Sequence, residues 1–541
     1  MIFGRVKPLD AILATAEKNA LHRSLGAFQL TMLGIGAVIG TGIFVLTSEA
    51  AQKAGPGMLL SFVVAGFVCA VAALCYSELA SMVPVSGSAY TYTYAVVGEL
   101  LAWMVGWALI LEYAVGASAV AVGWSNHAVG LLRGLGIAFP ASISNADALM
   151  AKVQLALGAD ATPDLLTALN VGGWVNVPAI LISILVTWLL ILGTTESARV
   201  NAVLVAIKIA ALSLFVVLTV PVMKAENFEP FMPTGTVGVF GAAASIFFAY
   251  VGFDAVSTAA EETKNPQRNV PIGLIGSLFI CTLFYLLVAS GAIGAIGAQP
   301  EMVGGVPLAP GSAEMAGRCA SVVAAGMIEP LVCSKEALVH VLDSIGWSKI
   351  GRLVGLAAVL ALPSVVLMMM FGQTRGFFTM ARDGLLPAKL ASVHPKYRTP
   401  HVVTLVTGVG ATAAAAFLPV GKLADYSNSG TLFAFLMVAV SVMVLRRVDP
   451  GRHRPFRTPL VWIIAPLAIV GCVGLYLSLP LTAILVLPGW GAIGLVIYFL
   501  YSRPRSLVAR GVVEVPEVHA DVPPVPVPPL PNAPTPGDRQ A

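Results

Sequence analysis

Residues 33–44 read LGIGAVIGTGIF and residues 245–262 read SIFFAYVGFDAVSTAAEE. The first stretch crowds Gly34, Gly36, Gly40 and Gly42 into one short window; the second sets Gly252 and Asp254 inside an apolar run. Each interior glycine costs a helix roughly 1 kcal/mol relative to alanine, so both stretches are weak helices with approachable backbone. Close helix packing is the competing use of such glycines, and Gly36 and Gly40 have the small-xxx-small spacing. With Thr41 between the last two of four glycines, functional unwinding is the better reading for the first stretch.

The flanking sequence shows why a break would matter. Of 541 residues, 57% are hydrophobic and 11% charged, where a soluble domain carries roughly a quarter charged residues. A soluble globule is excluded. A helix needs about 20 apolar residues to cross the hydrocarbon, and on that scale the chain divides at 28–51, 58–82, 92–132, 175–193, 198–222, 237–258, 270–297, 352–380, 401–420, 429–446, 459–479 and 481–501. The expectation is an all-α polytopic membrane protein with about twelve transmembrane helices.

The breaks fall in the first and sixth of these segments, five apart. Two halves, 28–222 and 237–446, read as an inverted five-plus-five repeat, because an odd number of crossings turns the second half over. Helices within 459–501 are additional. Residues 1–27 form an N-terminal cytoplasmic segment whose Asp10, Glu17 and Lys18 are unlike a cleaved signal. The loop 298–351 reads as a partly helical external lid, and 513–541, with VPPVPVPPLPNAPTPG, as a disordered Pro-rich cytoplasmic tail.

Net charge is only +4, so its placement carries the information. With both termini cytoplasmic, roughly two thirds of Lys and Arg fall inside, as the positive-inside rule requires. The loops 382–398 and 446–457 contribute most. Such short basic runs beside spans are topology determinants, so no nucleic acid is expected as a partner.

Four of six cysteines lie in spans and read as small hydrophobes. Cys319 and Cys333 share the loop placed outside, where a disulfide is chemically permitted. Cofactors and metals are not expected: phosphate-binding and HExxH motifs are missing, and the cysteines lack CxxC spacing. GIGAVIG matches a dinucleotide pattern only superficially, lacking a strand–turn–helix context. An enzyme is therefore not expected.

An unwound segment in lipid exposes amides and carbonyls that need partners, and a zwitterion supplies both. A half-helix beginning near Thr41 and Gly42 directs free N–H groups toward a carboxylate. Carbonyls of the preceding half, and those around Phe248, Ala249 and Val251, accept bonds from an ammonium. Lys208 lies mid-span in RVNAVLVAIKIAALSLF, where an ionised lysine costs on the order of 2.5–3.5 kcal/mol. It should face the interior, either bracing the broken helix or carrying a coupled proton. Glu112, in WALILEYAV, has three readings: contact with a cationic substrate side chain, proton relay, or internal pairing.

GIGAVIGTGIF, YSELASMVPVSGSAYTYTY, FFAYVGFDAVSTAAEETKNPQRNVPIG and GQTRGFFTMARDGLLP together resemble the amino acid–polyamine–organocation (APC) superfamily of permeases, in its cationic amino acid transporter branch. The resemblance implies the inverted-repeat fold and alternating access. It places the substrate carboxylate on Gly40, Thr41 and Gly42, and the ammonium on the carbonyls of Val38, Phe248, Ala249 and Val251. It also sets Lys208 where sodium-coupled relatives hold an ion.

The expected function is secondary active transport of amino acids across the cytoplasmic (inner or plasma) membrane, by proton-coupled uptake. An exchanger, a cationic amino acid or polyamine transporter, and an amino acid sensor are the alternatives. The expected partners are an amino acid, protons and membrane lipids; the sequence names no protein partner. Met368, Met369 and Met370 make an apolar wall that favours a neutral substrate, while Glu112 argues the other way.

Overall fold

The structure, a computed structural model, describes residues 6–7, 25–83, 88–193, 198–327, 329–397 and 399–508. Most of the 1–27 segment and all of the 513–541 tail lie outside the described residues. Helices dominate; two pairs of two-residue strands, Ser144–Asn145 with Val175–Asn176 and Met302–Val303 with Val306–Pro307, are the only sheets among those residues.

The apolar helices form about twelve spans. The first is Ala27–Val38 followed by Thr41–Phe44 and Leu46–Ala54, and the second is Met58–Met82. They meet at Gly55–Gly57, where Gly55 takes φ +60°, a conformation that favours glycine. The third is Glu99–Gly134, the fourth Val177–Leu192, the fifth Ala198–Thr219 and the sixth begins with Gly235–Ile246. Then come Pro266–Ile296, Ser348–Arg382, His401–Phe417, Val420–Val448, Val461–Leu477 and Leu481–Ile497.

One expected boundary is corrected. The segment read as 92–132 is a short helix, Ser88–Val96, and a separate span from Glu99, parted at Gly98 with φ +130°. Hydropathy runs through the corner because Tyr90, Tyr92 and Tyr94 are buried there like core residues.

Burial sorts the spans. The third is enclosed along most of its length, whereas the last shows Leu485, Ile493 and Leu500 on its outer face. Lipid replaces water there, so exposed leucines are in their preferred solvent.

Lys7 and Leu507, near the two ends of the described residues, share a face. Lys7 Nζ is 2.8 Å from Asp383 Oδ1, the Leu507 amide donates to the Asp383 carbonyl, and the Tyr90 hydroxyl donates to Asp383 Oδ2 at 2.7 Å. Nearby, Glu99 accepts from the hydroxyls of Tyr94, Tyr498 and Ser506. Glu78, almost fully buried, takes a two-pronged bond from Arg446 (2.7 and 2.8 Å) and a third from the Thr458 amide. A buried carboxylate is tolerable only when paired and hydrogen-bonded in this way.

The opposite face carries a cap larger than the expected 298–351. Helices Asp147–Ala156 and Pro163–Val171, from the connection between spans three and four, pack on Ala313–Ala324 through Ala151, Leu165, Ala168 and Ala313. Lys335 reaches Asp147 at 2.8 Å, and a disulfide joins Cys319 to Cys333. Gln52, on the first span, donates to the carbonyls of Glu301 and Leu308 and accepts from the Glu301 amide. The cap is thereby bonded to the first span.

Glu336 roots the cap in the third span, its carboxylate packed where Gly130 has no side chain. Burial pushes its carboxyl up to about 8, against the opposing pull of Arg133. The native state therefore holds this proton more tightly than the unfolded chain, whose carboxyl sits at 4.5. The resulting stabilisation is full below pH 4.5 and is lost as pH rises through about 8. Glu336→Gln should therefore melt higher than the parent at pH 9, on the order of a few degrees, with the gap closing toward pH 5; melting curves in detergent across that range check it. Non-reducing peptide mapping should recover the Cys319 and Cys333 peptides linked, with neither thiol alkylated until reductant is added.

Candidate substrate site at two facing helix breaks

Helix one stops at Val38 and Ile39 is extended (ψ 95°) before the chain coils again at Thr41. In the sixth span, Gly235–Ile246 tightens into a 3₁₀ turn, Phe247–Tyr250, and Val251 is extended (ψ 137°). Gly252 then takes φ +111°, and the helix restarts at Ala255–Thr258. Both interruptions lie inside the protein: Val38, Phe248, Ala249 and Val251 are each at most 4% exposed.

The two breaks touch. A side chain at Gly42 would collide with the Cα and Cβ of Ala249, and one at Gly252 would sit 3.1 Å from the carbonyl of Ala37. Glycine is required at both places for contact between backbones. Two freed carbonyls converge on one hydroxyl: Tyr285, on the seventh span, lies 2.8 Å from the Val38 oxygen and 2.7 Å from the Ala249 oxygen. The Phe248 carbonyl accepts the Val251 amide within its own turn.

Around the breaks the wall is apolar. Gly40 faces Val365 of the eighth span at 3.3 Å, and Gly116 of the third faces the sulfur of Met369 at 2.9 Å, both measured from where a Cβ would stand. Met369 and Met370 are buried and Met368 is half-buried. Polar groups lie further along the bundle: Tyr113 donates to Asp254 at 2.8 Å.

Lys208 is 1% exposed, and its ammonium donates to the Gly36 carbonyl at 2.8 Å. Asn201 and Val205, on the same span, press on Gly36, with the Asn201 oxygen 2.7 Å from a Cβ position. The fifth span thus grips the first just before its break. Glu112 is 1% exposed, enclosed near Asp254 and Thr431 with neither oxygen in an aligned hydrogen bond. Toward the cap, Lys53 of the first span, Ser245 of the sixth and Asp425 of the tenth form a bonded chain, Ser245 linking the other two. Asn428 donates to the Ala244 and Ser245 carbonyls.

The structure therefore brings Val38, Gly40, Gly42, Ala249 and Val251 into one locus with Phe248, and Lys208 one turn away; for Thr41 only the backbone is described. Glu112 stands apart beside the tenth span. Glu262 pairs with Arg375 at 3.5 Å rather than joining the locus. Tyr285, Val365 and the Lys53–Ser245–Asp425 chain were missed in the sequence. A charged residue in the polar run ADYSNSG could have drawn attention to Asp425, whereas Tyr285 looks like any aromatic in an apolar helix.

The family model described as Amino acid permease matches residues 25–499. A branched-chain amino acid permease of Bacillus subtilis is 44% identical over 505 residues, covering 93% of this chain and 98% of its own. The methylthioribose transporter of the same organism is 39% identical, covering 94% and 99%. A vacuolar cationic amino acid transporter of Arabidopsis thaliana is 34% identical, covering 83% of this chain and 64% of its own. A matched length that takes in both helix breaks, the lysine behind them and nearly every span leaves one assignment: the chain belongs to the amino acid permease family of the APC superfamily.

Proposed function

We propose that this permease carries neutral, apolar amino acids into the cell by proton-coupled alternating access. The observation that carries the reading is the contact of two helix breaks at Gly42 and Ala249, which sets bare amides and carbonyls together where lipid supplies no partner. The half-helix opening at Thr41 and Gly42, which continues into Leu46–Ala54, receives the carboxylate. Carbonyls of Val38, Ala249, Val251 and Phe248 receive the ammonium. Val365 and Met369 face the side chain and favour an apolar one.

Halves 28–222 and 237–446 act as the inverted repeats, with 459–501 as a flanking pair. The termini face is cytoplasmic: it carries the basic loops at 382–398 and 446–457, while the disulfide lies on the opposite cap. Glu112, enclosed beside Asp254, contributes to coupling rather than touching the substrate side chain.

Lys208 supplies the coupling. Its charged form holds the Gly36 carbonyl by a charge-assisted bond, bracing the first span. Its neutral form loses that bond and lets the span rearrange. A proton shifts a conformational equilibrium only by binding the two states unequally, and this contact makes them unequal.

Gly42→Leu should abolish binding of radiolabelled leucine, because its Cβ would collide with the Cα of Ala249 and force the two breaks apart; retained affinity in a folded, monodisperse variant removes the site from consideration. In proteoliposomes the parent should concentrate leucine under an inward proton gradient, and unlabelled methylthioribose should not compete. Lys208→Ala should still bind leucine but lose uphill uptake, and Lys208→Arg should fail similarly, since guanidinium stays protonated. A Lys208→Ala protein that accumulates leucine as the parent does would exclude the coupling role.

A further inference from the structure

Within the proposed amino acid site, on which this inference rests, we infer that the Tyr285 hydroxyl is a third oxygen of the ammonium receptor and holds the other two in place. Tyr285 is fully buried on an unbroken helix, its ring packed against Phe62 and Tyr250 at centroid distances of 5.8 and 5.3 Å. The hydroxyl is therefore carried by a helix that does not break, and its ring is held on one side by the second span and on the other by the sixth-span turn. At 2.8 Å from the Val38 carbonyl oxygen and 2.7 Å from that of Ala249, it ties together residues from the two halves of the fold.

Proton counting makes this cluster a receptor. A phenol has one O–H, whereas each carbonyl oxygen accepts and donates nothing. Three buried oxygens thus share one proton among themselves, so at any moment one carbonyl faces a lone pair. An alkylammonium brings three N–H groups and a positive charge: one satisfies the second carbonyl, one reaches the phenol oxygen, and one is left for the Phe248 or Val251 carbonyl. The cluster selects donors with at least two N–H groups and rejects carboxylates that lack the amine. Without the hydroxyl, freed carbonyls in a low-dielectric interior turn toward other donors, and the paired geometry is lost.

The test compares purified parent and Tyr285→Phe protein for binding of L-leucine and of 4-methylpentanoate, its analogue without the amine. Phenylalanine keeps the ring packing and removes only the hydroxyl. Leucine affinity should fall roughly ten- to hundredfold, while 4-methylpentanoate affinity stays within about threefold. A merely structural role would weaken both ligands alike; that outcome, or unchanged or tighter leucine binding, overturns the inference while the substrate site stands. A parent that binds 4-methylpentanoate as well as leucine overturns the ammonium site itself. Should Tyr285→Phe not fold, the parent alone decides through N,N-dimethyl-leucine, which has a single N–H: binding equal to leucine's overturns the inference, and marked loss supports it.

Discussion

Hydrocarbon offers no hydrogen bonds, and every feature of the bundle's centre answers to that. A helix that stops in mid-membrane frees amides and carbonyls, and each must be met from inside the protein or by cargo. Here two helices stop at the same depth and are pressed together at Gly42–Ala249 and Ala37–Gly252. The freed groups of each become the surroundings of the other. Tyr285 and Lys208 then provide donors from helices that do not break.

The polar contacts divide by what they hold. Glu78 with Arg446 and Arg454, and Glu99 with its three hydroxyls, tie neighbouring elements together on one face, with every carboxylate oxygen engaged. Lys208 on Gly36, Lys53 with Ser245 and Asp425, and Gln52 on the cap all instead bind the first span to something else. That span is thus held by a few charge-assisted or amide contacts rather than by broad apolar packing alone. Contacts of this kind break and re-form as units, which is what the proposed alternating access requires of this span.

The relatives fit this division. Proteins named for branched-chain amino acids, methylthioribose and cationic amino acids share most of this chain's length. In the proposed reading, selectivity rests on the wall around the breaks, where Val365 and Met369 stand in this protein.

Much of the architecture was legible locally. Apolar runs of spanning length and glycines clustered at 34–42 are properties of neighbouring residues, so spans and breaks could be read from the sequence alone. The Gly98 corner was hidden because buried tyrosines make a turn look like a continuing helix. Lys208 was conspicuous because a charge in lipid is costly wherever it points. That it could brace the broken helix was legible, but the particular carbonyl was not: Gly36 is 172 positions away, and Tyr285 lies 247 from Val38. Sequence by itself determined where helices run and where they fail, since hydropathy and backbone propensity act over one or two turns. Tertiary structure alone decided which freed carbonyl meets which donor, because a hydrogen bond depends on sub-ångström placement between helices that packing, not chain order, brings together.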